Sequence, residues 1–368
     1  MTEINDPSRS QRLERDIGNI LAIVKEYYGQ YAPEAEAEEI ISFPDVEEFP
    51  FTVPGTPAMP FVCVDGSFTD LVHLQELDAN ITMFRVSTVE YNFDTEGKPV
   101  LTRHHVIDKA ELVSSNVSFY KDDPVLPEVI RIAKQFEGRE LDIVESMIMY
   151  LIEQKALFAA ARRYSNAILA RDGSLTAFFL PELKTLIDEI VTTCEAHSNI
   201  LIGISKDSGT HYLDQPLVDE AALAKQYAVS SSMESPCQTI AVRIAPRSVR
   251  RLHKFIMIGD LFFAHLHPFA EKFFRVDLGT WKDDPVQAFG ELAKYCTWEA
   301  TPGFPFPLVE AHKSAKAIRD AKDFYLDQVI EGWRGSGIPQ DVLLGGLIDK
   351  YGVAAGKFHT KIDMISKI

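Results

Sequence analysis

Hydrophobic and polar positions alternate along this chain in two rhythms, one typical of helices and one typical of strands. Apolar side chains recur at helical spacing over residues 8–31, 126–164 with a break near Gly138, 181–197, 221–228, 284–295, 308–331 and 340–351. Short apolar or alternating runs predict strands over 61–67, 81–93, 100–107, 167–170, 199–205, 239–244, 255–267 and 273–278. A short helix is expected at 70–77. This mixture predicts an α/β protein whose mixed sheet is flanked by helices.

Two of the predicted strands end on the same three residues, Asp-Gly-Ser. Residues 61–67 read FVCVDGS, and residues 167–175 read AILARDGSL. Each apolar run is typical of a buried strand, and the glycine after the aspartate permits a sharp turn. A single such triplet is a common turn, so only the pair is informative. If the two strands are neighbours, Asp65 and Asp172 meet at one sheet edge, where a hard divalent cation could be held for phosphoryl chemistry.

Other side chains could complete such a site. Glu153 lies in a strongly apolar stretch of the long helix, where a buried glutamate needs a partner, and Glu145 precedes it on the same helix. Lys206 follows the apolar strand NILIGIS, and His312 lies in PGFPFPLVEAHK, where it could bind a metal or transfer a proton. A solvated glutamate, a loop lysine and a surface histidine remain open alternatives. His265 and His267 alternate on a strand and form a minor candidate for metal binding.

Composition and charge narrow the class of protein. The chain has 368 residues, of which 46% are hydrophobic and 25% charged, as in ordinary globular proteins. The net charge of −17 argues against a sequence-independent coat on nucleic acid, although a local basic groove remains compatible with it. Four scattered cysteines, no apolar run of membrane-spanning length and a polar N-terminus predict a cytoplasmic protein without membrane association. No nucleotide-binding glycine loop and no serine-hydrolase elbow occurs in the sequence.

The chain divides into two parts by composition. Residues 1–60 contain the predicted N-terminal helix and an acidic, proline-rich strap or linker. Residues 61–368 contain the predicted sheet and a helical C-terminal part, which we expect to form one domain.

Taken in order, these segments resemble the NurA nuclease family, the partner of HerA-type hexameric ATPases. The matching segments are VDGS at 64–67, the glutamate-bearing helix at 145–163, DGSL at 172–175, GISKDS at 203–208, FFRVDL at 273–278 and PGFPFPLVEAHK at 302–313. The resemblance implies a ribonuclease H-like core and manganese-dependent DNA cleavage, both as a single-strand endonuclease and as a 5′-to-3′ exonuclease. It further implies a homodimer that docks on the ATPase and works in DNA end resection and repair.

The resemblance also assigns roles to residues. Asp65 and Asp172 match the two aspartate metal ligands, Glu153 best matches the glutamate ligand with Glu145 as the fallback, and His312 matches the histidine near the metal. Lys206 matches a lysine that would contact phosphate. Two Mn²⁺ or Mg²⁺ ions would then promote in-line attack by water and stabilise the leaving oxygen. The family pattern has tyrosine eight residues before the histidine, whereas this chain has phenylalanine at position 304.

Two other functions remain open on the sequence alone. The same carboxylates would serve a metal-dependent phosphohydrolase with a small or RNA substrate, which the low content of basic residues favours. The phenylalanine at position 304 instead favours a catalytically weak or inactive adaptor that docks on the ATPase. Activity on mononucleotides but not DNA would indicate the first, and binding to the motor without cleavage would indicate the second.

Overall fold

The computed structural model describes twelve ranges of the chain, all within one compact unit, Phe43–Ile368. These ranges are 46–55, 59–74, 78–114, 141–175, 177–178, 181–213, 217–227, 229, 236–244, 255–256, 258–280 and 284–334. The helices predicted over 8–31 and 340–351 lie outside the described residues. No helix within these ranges combines the length and the apolar character that crossing a membrane requires.

Eleven strands and six helices occur in the described residues. The strands are β1 (Val46–Pro50), β2 (Phe61–Leu74), β3 (Ala79–Phe93), β4 (Pro99–Ser114), β5 (Ile168–Asp172), β6 (Ala177–Phe178), β7 (Ile200–Ser205), β8 (Ile240–Ile244), β9 (Phe255–Ile256), β10 (Asp260–His265) and β11 (Phe274–Leu278). The helices are α1 (Leu141–Arg163), α2 (Pro181–Ala196), α3 (Asp219–Gln226), α4 (Pro285–Ala293), α5 (Phe306–Asp320) and α6 (Lys322–Arg334).

Nine of these strands form one mixed sheet, in the order β1-β8-β10-β11-β7-β5-β2-β3-β4. Strands β2, β5 and β7 are parallel neighbours, whereas β2, β3 and β4 form an antiparallel meander. The five strands from β4 to β7 and their helices are consistent with the expected ribonuclease H-like core. The short strands β6 and β9 pair with each other in a separate sheet.

The two strands that carry the Asp-Gly-Ser triplets are direct neighbours, so the condition under which their aspartates would meet is fulfilled. Phe61 pairs with Ile168, and Val64 pairs with Arg171, so β2 and β5 run parallel in matched register. Asp65 and Asp172 follow directly after the last of these pairs, where β5 ends and β2 continues to Leu74. The carboxyl ends of parallel strands are a common place for ligand-binding side chains in open α/β sheets.

Both faces of the central strands are buried, which explains their continuous apolar runs. Val62, Val64 and Leu169 pack into a core that includes residues of α1 and α2. Their sequence neighbours Cys63 and Ala170 pack into a second core that includes residues of α4 and α5. Because successive strand residues point to opposite faces, Asp65 and Asp172 belong to the α5 face and Arg171 to the α1 face.

The structure differs from the predicted elements at a few places. The helix expected at 70–77 is wrong for its first half, because β2 continues to Leu74 and pairs with β3 through a register shift between Asp70 and Val72. Within the expected strap, Val46–Pro50 forms an edge strand that pairs with β8. The helix predicted over 308–331 is two helices, separated at Ala321.

Candidate metal centre

Three side chains of the types that ligate metals meet where the pairing of β2 with β5 ends. Asp65 is the fifth residue of β2, Asp172 is the last residue of β5, and His312 lies on α5 above them. His312 Nδ1 lies 2.8 Å from Asp65 Oδ2 and 3.4 Å from Asp172 Oδ2. One ligand atom from each residue lies within 4.8 Å of the other two, so all three could contact a single ion. We call these three residues the Asp-Asp-His cluster.

The carboxyl group of Asp65 is in an unfavourable setting for a negative charge. Its side chain is only 8% exposed, and burial is the main reason that its pKa rises to about 7. The neighbouring carboxylates of Asp172 and Glu153 raise this pKa further, whereas Lys206 and the backbone of Gly66 lower it. A divalent cation would relieve this crowding of like charges, so the electrostatics of the site suit one.

The surroundings of His312 favour the neutral imidazole, which is the form that can bind a metal. Partial burial and the nearby positive charge of Lys206 lower its pKa, while Asp172 opposes that shift. A neutral imidazole has a lone pair for a metal, whereas a protonated one has none.

Glu153 lies beside this cluster but reaches it from the other face of the sheet. It projects from α1, and its side chain is 6% exposed. Its Oε1 lies 2.8 Å from the point that a Cβ atom on residue 66 would occupy, so only glycine leaves room for it. The contact also explains the influence of Glu153 on the pKa of Asp65. The glutamate is therefore close to the cluster without belonging to its tightest part.

The carboxylate of Glu153 is held by Arg171, which the sequence reasoning missed. The Nε and Nη2 atoms of Arg171 donate to Glu153 Oε2 at 3.0 and 2.7 Å. The Nη1 atom donates to the carbonyl oxygen of Ser174 at 2.5 Å, and the guanidinium lies 4.7 Å from the ring centre of Tyr150. A signal was present in the sequence, because strand alternation directs the residue before Asp172 to the face of the glutamate-bearing helix.

Lys206 completes the edge of the site. It follows β7, and its Nζ donates to Asp172 Oδ2 at 2.5 Å. The same Nζ lies 5.5 Å from the ring centre of Phe304, which is 4% exposed and packs against Phe274. Four of the five predicted residues are thus linked by contacts, since His312 contacts Asp65 and Asp172, and Lys206 contacts Asp172.

The fallback ligand Glu145 lies elsewhere. Eight residues before Glu153, it is about 12 Å further along the helix axis. There it accepts hydrogen bonds from Asn80 and Thr82 at 2.8 and 2.9 Å and contacts Asp70. The structure therefore favours Glu153 as the glutamate near the cluster.

The minor histidine candidate does not form a site. His265 is fully buried, and its two ring nitrogens lie 2.9 Å from the carbonyl oxygens of Gln238 and Ala270. The imidazole is thus used to fix two backbone segments. Within the described part of the chain, the Asp-Asp-His cluster is the group of three or more ligating side chains that could hold an ion.

The donor set of the cluster fits Mn²⁺ or Mg²⁺. Carboxylate oxygens suit both ions, and an imidazole nitrogen beside them is more compatible with Mn²⁺. Lys206 and Arg171 lie at the rim and balance part of the negative charge. This is a site in which carboxylates are concentrated at the end of parallel strands and bordered by cations.

Comparisons with known proteins identify the family of this chain. The NurA domain family model matches residues 64–317, and the chain therefore belongs to the NurA family. No curated protein matches this sequence. Among solved structures, the NurA nuclease from Sulfolobus solfataricus matches with 14% identity and a TM-score of 0.49 over 92% of this chain and all of that chain. The Argonaute of A. aeolicus matches with 9% identity and a TM-score of 0.32, over 70% of this chain and 28% of that chain.

Proposed function

We propose that this protein is a Mn²⁺- or Mg²⁺-dependent DNA nuclease that hydrolyses phosphodiester bonds. The observation that carries the proposal is the Asp-Asp-His cluster in a chain of the NurA family. Four of the five residues expected from the motifs are linked through Asp172 and His312, and the fifth, Glu153, lies against Gly66, the residue after Asp65. Resemblance to the family further supports cleavage as a single-strand endonuclease and a 5′-to-3′ exonuclease.

The geometry suggests a division of labour among these residues. Asp65, Asp172, His312 and the nearby Glu153 would hold up to two ions, which supply Lewis-acid assistance to phosphodiester hydrolysis when bound. Lys206 pairs with Asp172 in the structure, with 37% of its side chain exposed. It could donate to a phosphate oxygen of the bound strand instead, as lysine commonly does. The position of His312 at the open side of the cluster suits contact with the incoming strand.

The family also supports a cellular setting for this activity. We propose that the protein acts as a homodimer with a HerA-like hexameric ATPase, in cytoplasmic DNA end resection and repair. A motor that feeds DNA to the nuclease would compensate for the net charge of −17, which disfavours tight DNA binding by the chain alone. Light scattering of the purified protein, alone and mixed with the ATPase, tests both associations.

The test of the nuclease is cleavage of labelled single- and double-stranded DNA with Mn²⁺, Mg²⁺ or EDTA. Wild-type protein should cut only with metal, and Asp172→Asn should not cut. Asp188→Asn is the matched control, because Asp188 is an exposed aspartate on α2 that pairs with Lys184. The proposal fails if folded wild-type protein does not cut DNA with either metal. It also fails if Asp172→Asn cuts DNA as well as Asp188→Asn does.

Two further measurements test the alternative functions, a phosphohydrolase and an adaptor of the ATPase. Mononucleotides and RNA as substrates test the phosphohydrolase, which the acidic surface favours. Binding to the ATPase without any cleavage would support the adaptor, which the phenylalanine at position 304 favours because that ring supplies no hydroxyl beside Lys206.

A further inference from the structure

Arg171 connects two segments that the metal site needs in a fixed relation. It is the penultimate residue of β5, and only 14% of its side chain is exposed. On one side its guanidinium holds the carboxylate of Glu153 on α1, and on the other it holds the carbonyl oxygen of Ser174, two residues after Asp172. One rigid planar group thus contacts both the helix and the turn that carry candidate ligands.

The way in which Arg171 holds Glu153 is asymmetric. Two of its nitrogen donors contact the same oxygen, Oε2, at 3.0 and 2.7 Å. The other oxygen, Oε1, lies against Gly66, the residue that follows Asp65 in β2. A carboxylate that is tied by one oxygen beside a metal site is held in the way that outer hydrogen bonds commonly hold metal ligands.

The turn that follows Asp172 is restrained from a second direction as well. The buried carboxylate of Asp277 accepts a hydrogen bond from the backbone N–H of Leu175 at 2.7 Å and pairs with Arg275. Gly173 donates its N–H to the carbonyl oxygen of Ile204 at 2.7 Å. The turn therefore stays in place when one restraint is removed, so a variant of Arg171 should mainly release Glu153.

We propose that Arg171 is a positioning residue of the metal centre, which holds Glu153 beside Gly66, next to Asp65, and couples α1 to the Asp172 turn. This inference rests on the proposed metal site and adds a residue that contacts no substrate or ion. Arginine is suited to the role because its planar fork can reach two partners with fixed geometry, whereas lysine presents a single charged centre.

The experiment is a Mn²⁺ titration followed by electron paramagnetic resonance, on wild type, Arg171→Gln, Glu153→Gln and the double variant, without DNA. We expect Arg171→Gln to weaken Mn²⁺ binding by about 10- to 100-fold. In the Glu153→Gln background the same change should weaken binding much less, because the group through which Arg171 acts is already altered.

Matched variants keep the test decisive. Arg243→Gln is the control, because Arg243 also joins two carboxylates from different segments, Glu47 and Asp260, on the far side of the sheet. It should bind Mn²⁺ as the wild type does. If circular dichroism shows that Arg171→Gln is unfolded, Arg171→Lys replaces it and should weaken Mn²⁺ binding in the same direction.

The outcomes distinguish the two proposals. Wild-type protein that binds no Mn²⁺ would overturn the metal site and the role of Arg171 with it. Wild-type protein that binds Mn²⁺, with Arg171→Gln binding as tightly or with losses that add independently to those of Glu153→Gln, would overturn only the role of Arg171.

Discussion

Strand β2 and helix α1 bring acidic side chains together at two places, and their surroundings differ. At one place Glu153 lies beside Asp65, with Arg171 and Lys206 as cationic partners of the neighbouring carboxylates. At the other place Glu145 contacts Asp70. Each pair comes from the same strand and the same helix, so the difference between them lies in the side chains supplied by the rest of the fold.

The second place is closed by neutral hydrogen-bond donors. The Thr82 hydroxyl lies 2.7 Å from Asp70 Oδ1 and 2.9 Å from Glu145 Oε1, and Asn80 donates to the same Glu145 oxygen. A hydroxyl has one proton to donate, so one carboxyl group must supply the other. Burial, followed by the charge of Asp70, raises the pKa of Glu145 to about 8. This pair is arranged to keep a proton, whereas the carboxylates of Glu153 and Asp172 have the cationic partners Arg171 and Lys206.

The largest expected effect is on the rate of DNA cleavage, which should depend on Asp65 and not on Glu145. Asp65→Asn should reduce the rate of DNA cleavage by about 100-fold or more, because a metal ligand contributes several kcal/mol to transition-state stabilisation. Its thermal midpoint should stay unchanged or rise, since the substitution removes one of three crowded carboxylates. Glu145→Gln should keep cleavage within about threefold of wild type. Equal losses of activity in Asp65→Asn and Glu145→Gln would show that the two acidic pairs do not differ in function.

A second prediction concerns the space that Glu153 occupies. In Gly66→Ala, the new Cβ would lie 2.4 Å from Met149 Cε and 2.8 Å from Glu153 Oε1, so these side chains must move. We expect a loss of about 1–3 kcal/mol in the free energy of unfolding and weaker Mn²⁺ binding. Urea unfolding and Mn²⁺ titration measure both.

The matched control for Gly66→Ala is Gly55→Ala. A Cβ at residue 55 has no described heavy atom within 4 Å, so this variant should match the wild type in both measurements. If Gly66→Ala also matches the wild type, Glu153 does not need its present position.

The structure could be predicted from the sequence where local pattern decided it. The two strands that carry Asp-Gly-Ser and the mixed α/β class follow from apolar runs, whereas the adjacency of the two strands is visible only in the sheet. The choice between Glu145 and Glu153 does not, because eight residues are about two helical turns and both side chains lie near one helix face. Only the strand residues opposite them, Asp70 and Asp65, distinguish the two.

The incorrect prediction of a helix at 70–77 also results from contacts that a local sequence pattern does not show. Polar residues such as Asp70 and His73 break the alternation expected of a strand, yet both are half-buried and have polar partners on other elements. Asp70 contacts Glu145, and His73 Nδ1 lies 2.8 Å from Asn80 Oδ1. Pairing with β3 decides the conformation there, and a local pattern contains no information on that pairing.

A third prediction uses pH to test the buried pair. The pKa of Glu145 is about 8 in the folded protein and 4.5 ordinarily, so the folded state binds the proton more tightly. The contribution of Glu145 to the free energy of unfolding is fully present below pH 4.5 and is lost as the pH rises toward 8. Glu145→Gln imitates the protonated form and should remove this part of the decline.

Urea unfolding at pH 5 and pH 8.5 measures that difference. The variant should resemble the wild type at pH 5 and exceed it by about 1–4 kcal/mol at pH 8.5. Asp188→Asn, in which an exposed aspartate is changed, should leave the pH dependence as it is in the wild type. If the wild type instead has the larger free energy of unfolding at pH 8.5, Glu145 is charged in the folded protein.

The smallest expected effect concerns Phe304. Phe304→Tyr restores the tyrosine of the family pattern beside Lys206, and we expect cleavage to rise by a few-fold. Because the ring is 4% exposed, the added hydroxyl should cost about 1 kcal/mol unless it reaches a partner. Single-turnover cleavage and thermal unfolding measure the two effects, with Phe324→Tyr on the exposed face of α6 as the control. An unchanged rate would show that the missing hydroxyl does not limit the reaction.

The contact between Asp65 and His312 spans 247 positions of the chain. Synthesis proceeds from the N-terminus, so both aspartates are made long before the helix that carries the histidine. A nascent or truncated chain that ends before α5 contains both β2 and β5, yet it lacks the third side chain of the cluster. Completion of the site is thereby tied to completion of the protein, and unfinished copies in a cell would not carry the assembled centre.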